Sequence, residues 1–179
     1  DESDGGVTFS GGEPLMQHVF LTELLQSCRH EQIHTAVDTC LFATRPVLEQ
    51  VIIYTDLFLC DIKHMNPDKH KQYTGVDNQL ILENLKFLDQ SGCDIIIRVP
   101  LVPGFNDTRE EIKQICDCLK SLENIKQVDL LPYHSGGVSK ANRLTHQVEI
   151  LQSTPPRDEC LNELGDLIKQ NGFEVKAGN

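Results

Sequence analysis

Short β-branched apolar runs alternate along this chain of 179 residues with longer segments of helical apolar spacing, and that alternation narrows the fold to the α/β class. Residues 7–10, 34–39, 57–62, 95–102 and 128–133 read as strands, with 173–176 a weaker sixth. Between them, residues 18–31, 45–51, 78–90, 109–121 and 157–170 carry helical patterns; Phe20, Leu24, Leu25 and Cys28 recur on one face of the first. Strand starts lie roughly 23 to 38 residues apart, the size of a βαβ unit, which predicts a parallel sheet with crossover helices. Runs such as DIIIRVPLV are almost continuously apolar, as expected of strands covered on both faces. An open doubly wound sheet and a barrel segment both satisfy this pattern. One domain, 1–179, accounts for the length.

Polar residues gather at the C-terminal ends of these runs. The first strand ends in Ser10-Gly11-Gly12-Glu13-Pro14, the second in Asp38-Thr39 and the third in Asp61-Ile62-Lys63-His64. The fourth carries Arg98 and runs out through Pro103-Gly104, and the fifth ends in Pro132-Tyr133-His134. Barrels and open α/β sheets both build their sites on that edge. A charge inside an apolar strand is costly unless it is paired or lines a cavity. Five consecutive strands making the same exception therefore point to a site.

Gly11-Gly12 lets the backbone approach a ligand closely, Glu13 adds an acceptor, and Pro14 suits the opening of a helix. Asp38 and Asp61 suit a cation or a ligand ammonium; Lys63 suits a carboxylate. Each residue also has a plainer use. Gly-Gly makes an ordinary turn, an Asp caps a helix, Lys63 is solvated, Arg98 closes a structural ion pair, and His134 is a polar strand end. Taken together, two anions and two cations around a glycine turn complement a zwitterion such as an amino-acid moiety. His18, His30, His70 and His146 read as exposed helix or loop with no role.

Lys plus Arg number 16 and Asp plus Glu 27, a formal net charge of −11 that argues against nucleic-acid or anionic-membrane partners. No apolar run of transmembrane length occurs, and the acidic, glycine-rich residues 1–6 are unlike a secretory signal. The seven cysteines are odd in number and scattered, the pattern of reduced thiols in a cytoplasmic protein. Cys116 and Cys118 project about 200° apart on a helix, so they do not converge on a metal.

The stretches GGVTFSGGEPLMQ, HTAVDT, LFLCDIKHMNPDKHKQYTGV, IIIRVPLVPGFND and LLPYH, in that order, resemble the activating enzymes of glycyl radical enzymes, the pyruvate formate-lyase activating enzyme family. DIKHMNPDKHKQYTG is especially similar to members carrying extra ferredoxin-type clusters. The resemblance implies an α/β fold, an incomplete (β/α)6 radical S-adenosylmethionine (SAM) partial TIM barrel with a parallel sheet and flanking helices, its first strand and cluster loop missing from this chain. It implies an oxidoreductase that uses S-adenosylmethionine and a 4Fe–4S cluster to generate a 5′-deoxyadenosyl radical, which abstracts hydrogen from a glycine of the partner enzyme. It also implies an electron donor such as flavodoxin or ferredoxin.

Residue by residue, Gly11, Gly12 and Glu13 match the motif that contacts the methionine amino group, and Asp38 and Thr39 match the position that helps hold that end. Asp38 and Asp61 match residues framing a monovalent-cation site. Lys63 and Arg98 match basic residues near the methionine carboxylate, and His134 the histidine near the adenosyl moiety. Two departures stand out. Cys40-Leu41 replace the family's small polar residue and glycine, and no CxxxCxxC motif is present. The expectation is that the cluster ligands lie upstream, that this polypeptide alone is inactive, and that its sheet edge self-associates. Alternative readings are another radical SAM enzyme acting on a small molecule or peptide, and a cluster-less ligand-binding domain.

Overall fold

The computed structural model describes residues 5–132 and 156–177. Six strands, β1 (Val7–Phe9), β2 (Thr35–Thr39), β3 (Leu57–Asp61), β4 (Asp94–Leu101), β5 (Ile125–Pro132) and β6 (Val175–Ala177), form one sheet in chain order. Every neighbouring pair is parallel. The order never reverses, so the sheet has no switch point of the doubly wound kind, and it is barrel-like in its winding. Crossovers of one hand then place the helices on one face. These are α1 (His18–His30), α2 (Arg45–Val51), α3 (Pro67–Thr74), α4 (Gln79–Gln90), α5 (Arg109–Leu119) and α6 (Asp158–Gln170).

That one-sidedness corrects the expectation of strands covered on both faces. In β4, Ile95, Ile97, Val99 and Leu101 are fully buried, whereas Ile96, Arg98 and Pro100 are only half-buried. The buried set meets Val37 and Phe58 on the neighbouring strands and Leu25, Leu48, Leu85, Leu88, Ile112, Ile115 and Ile168 from the helices. The alternate residues face the inner side, where the site lies. Dense apolar composition in β4 therefore reflects one sealed face and one sheltered face.

Helix α3 falls in a stretch without a helical expectation. Its residues, PDKHKQYT, carry no apolar stripe for the 3.6-residue period to register. The signals that define it are at its ends. Asn66 caps it by accepting from Lys69 N at 3.0 Å, Pro67 opens it, and Gly75 stops it at φ +87°. His70 within it is buried rather than exposed, with Nδ1 2.7 Å from Val76 O and 3.0 Å from Thr74 Oγ1. Strand β5 begins three residues before expectation, because Ile125 and Gln127 pair with Ile95 and Ile96 across a register shift. No described helix is long and apolar enough to cross a membrane.

Candidate functional site

Consecutive parallel strands bring the polar strand ends to one edge. Glu13 organises the first turn. Its Oε1 accepts from Leu15 N at 3.0 Å, capping the short 3-10 helix Pro14–Gln17, and from Thr39 Oγ1 at 2.7 Å. Its Oε2 accepts from Cys40 N at 2.9 Å. The turn after β1 is thereby tied to the turn after β2. Thr39 is buried, and its hydroxyl also accepts from Leu41 N at 3.0 Å. Gly11 lies at φ +136°, and a Cβ built on Gly11 or Gly12 would meet nothing within 4 Å. The glycine turn thus borders open space.

Beyond it runs a chain of alternating charge across three strands. Ser10 Oγ donates to Asp38 Oδ2 at 2.9 Å, and Arg98 Nη1 lies 2.7 Å from the same oxygen. Arg98 Nε lies 3.4 Å from Asp61 Oδ1, and Lys63 Nζ lies 3.5 Å from Asp61 Oδ2. Burial pushes the Asp61 carboxyl up, against the pull of Lys63 and Arg98. Among the described residues, Asp61 Oδ1 and Arg98 Nε are the buried side-chain polar atoms left without a hydrogen bond. The two face each other as an ion pair whose geometry falls short of a hydrogen bond.

Gly11, Gly12, Glu13, Asp38, Thr39, Asp61, Lys63 and Arg98 therefore come together as the sequence placed them. The Glu13 carboxylate and Thr39 hydroxyl are engaged in holding the two turns. His134 lies outside the described residues. A cavity of about 320 Å³ adjoins this array, lined by Glu13, Cys40, Asp61 and Lys63 and walled by Met16, Phe42, His70, Val76 and Ile81. Burial, with the Glu13 carboxylate beside it, pushes the Cys40 thiol up to about 11.

Sequence reasoning missed Asp129. Register places it opposite Arg98, which is itself opposite Asp61, and its Oδ1 accepts from Gln127 Nε2. The period-2 spacing of Gln127 and Asp129 inside β5 was the available signal. It also missed the side chains that pin the β3 exit. Asn78 Nδ2 donates to His64 O at 2.9 Å and Met65 O at 2.7 Å, and Glu111 Oε1 accepts from Met65 N. His64 Nδ1 lies 3.0 Å from Glu111 Oε2 and 3.0 Å from Asn66 N, with Phe105 tilted over the ring. Asn106, fully buried, donates through Nδ2 to Lys63 O and Pro100 O, each at 2.8 Å, and accepts from Val102 N at 2.7 Å.

Two cations and three carboxylates beside a ligand-accessible backbone suit a zwitterion: its carboxylate toward Lys63 and Arg98, its ammonium toward the acidic and carbonyl acceptors. The seven cysteines lack C-x3-C-x2-C spacing, and no three His, Cys, Asp or Glu among the described residues are placed to hold a metal ion.

Residues 2–119 match the radical SAM superfamily. The chain is 41% identical over 179 residues to the 4-hydroxyphenylacetate decarboxylase activating enzyme of Clostridioides difficile strain CD196, an alignment covering 99% of this chain and 56% of that protein. It is 41% identical over 181 residues to the trans-4-hydroxy-L-proline dehydratase activating enzyme of Clostridioides difficile, covering 99% and 60%. Among solved structures, a domain of pyruvate-formate lyase-activating enzyme from Bacteroides vulgatus ATCC 8482 superposes with TM-score 0.82 at 31% identity, covering 98% of this chain and 99% of that one. The chain thus spans less than two thirds of the length of the two Clostridioides proteins.

Proposed function

The chain belongs to the radical SAM superfamily, on its activating-enzyme side, and we propose that it forms the S-adenosylmethionine cradle of an enzyme that activates a glycyl radical enzyme. The observation that carries this reading is the Asp38–Arg98–Asp61–Lys63 chain of alternating charge beside the open Gly11-Gly12 turn. When bound beside a reduced 4Fe–4S cluster, S-adenosylmethionine would accept one electron, lose methionine by cleavage of its S–C5′ bond and supply a 5′-deoxyadenosyl radical able to take hydrogen from a glycine of the partner.

The chain's own residues bind and orient. Lys63 and Arg98 hold the methionine carboxylate, and the Gly11-Gly12 backbone and Glu13 receive the ammonium. Thr39 acts on that end through Glu13, which it anchors, and His134 receives the adenosyl moiety. A monovalent cation between Asp38 and Asp61 would take the place of the guanidinium there and release Arg98 to the carboxylate. No residue here is assigned to the cluster. Flavodoxin or ferredoxin supplies the electron.

The activating-enzyme relatives make 4-hydroxyphenylacetate decarboxylase, a trans-4-hydroxy-L-proline dehydratase and pyruvate formate-lyase the partners to try. The test is anaerobic incubation of the full-length reconstituted protein with S-adenosylmethionine, reductant and each candidate. Formation of a glycyl radical signal by electron paramagnetic resonance, with stoichiometric 5′-deoxyadenosine, is expected for one of them. Release of 5′-deoxyadenosine with a small molecule or peptide, and with none of the partners, would transfer the activity to another radical SAM reaction.

A further inference from the structure

We propose that Asn106 is a positioning residue that sets the spacing between Lys63 and Arg98, so that both meet one ligand carboxylate; this rests on the reading of the cradle given above. The argument starts from the backbone. The β3–β4 ladder runs on past Asp61, with Ile62 N donating to Arg98 O at 2.9 Å. The next rung would need an N–H from Pro100, which has none, so the ladder stops one residue before Lys63. No backbone hydrogen bond between the two strands then fixes the Lys63 main chain relative to Arg98.

The Asn106 carboxamide fills that gap. Although it lies in the turn between β4 and α5, its Nδ2 reaches across to Lys63 O and to Pro100 O, and its Oδ1 takes Val102 N. One planar group thus stands in for the missing rungs, holding the exits of both strands at 2.8 Å. It is fully buried, so these bonds have no competition from solvent. Asn78 and Glu111 hold His64 and Met65, the following residues, and leave the Lys63 carbonyl to Asn106. Lys63 and Arg98 flank the Asp61 carboxylate, one on each oxygen, so a shift of the β3 exit changes their separation directly. A plain loop staple inside 100–106 would need only the bonds to Pro100 and Val102; the bond to Lys63 is the one it would not need.

Asn106→Asp keeps size and the acceptor to Val102 N while removing both donors. In the full-length protein, held anaerobic, titration calorimetry with S-adenosylmethionine is run on the parent, Asn106→Asp, Lys63→Met and the double variant. Weakening of about tenfold is expected for Asn106→Asp, and less than about twofold further loss when it is added to Lys63→Met, because its effect passes through Lys63. Thermal midpoints are recorded alongside. If Asn106→Asp does not fold, Asn106→Ser, smaller and uncharged, carries the same cycle. Affinity equal to the parent's, or losses that multiply in the double variant, would overturn the inference alone. A parent that does not bind S-adenosylmethionine overturns it together with the proposed function.

Discussion

At φ +136° Gly11 occupies backbone space that side-chain-bearing residues rarely enter, whereas Gly12 next to it does not, and both border open volume. The two glycines therefore separate strain from ligand approach. Gly11→Ala is expected to cost about 1–3 kcal/mol of stability through backbone strain. Gly12→Ala meets no protein atom, so its thermal midpoint should stay at the parent value while S-adenosylmethionine binding weakens at least about fivefold. Unchanged binding in Gly12→Ala, by calorimetry on the full-length protein, would remove the Gly12 backbone from the cradle. A related case is Leu41, which stands where the family has glycine and adopts φ +61° all the same. That conformation costs about 1–2 kcal/mol for a residue with a side chain. Burial of the leucine offsets it, and Asn84 Nδ2 holds the turn by donating to Leu41 O and Ala43 O, each at 2.8 Å. Leu41 thus adopts a left-handed conformation of the kind that glycine takes without that cost.

The β3 exit is the element on which most buried polar chemistry converges, and it holds a pH-dependent pair. Burial, with Lys69 and His70 nearby, pushes the His64 imidazole below its ordinary 6.5, and burial pushes the Glu111 carboxyl up. Both directions favour neutral forms, and the two groups face each other with Nδ1 3.0 Å from Oε2. For His64 the unfolded chain binds the proton first, so stability is lost as the pH falls below 6.5. For Glu111 the folded state holds the proton longer, so its contribution is lost as the pH rises above 4.5 and opposes the first. His64→Asn removes the acid-side loss: its thermal midpoint should fall less than the parent's on acidification from 6.5 by about one unit. Equal slopes in the two proteins would show that His64 does not titrate in that window.

Across the whole molecule, the open side of β1 is the sheet's exposed flank. Among the described residues β1 pairs only with β2, and Val7, Met16, Val19 and Phe20 are exposed nearby. Unpaired strand edges invite pairing with another copy, while the net charge of −11 keeps copies apart. The 179-residue polypeptide is therefore expected to self-associate more as salt is raised, since screening removes the repulsion and leaves the apolar edge. Sedimentation velocity at low and high salt reads this directly. A single monomer species under both conditions would show the edge to be protected.

Strand and helix periods, the parallel sheet and the gathering of eight named residues at one edge were legible in the sequence, because parallel strands with helical crossovers carry all their C-terminal ends to one edge. So was the glycine turn, since its chemistry is local. Tertiary structure decided the rest. Chain-order winding, which the family resemblance implied and the periodicity left open, depends on pairings between strands that no local pattern encodes. Which residue touches which also lay beyond the sequence. Glu13 clamps Thr39 and Cys40, Arg98 reaches over β3 to Asp38, and Asn106 holds a carbonyl 43 residues away. Helix α3 and the burial of His70 escaped notice because a polar helix gives no apolar period and is defined by its caps and its neighbours. Propensity and period act along the chain, whereas ion pairs and buried amides are satisfied across it, and only the packed sheet brings those partners together.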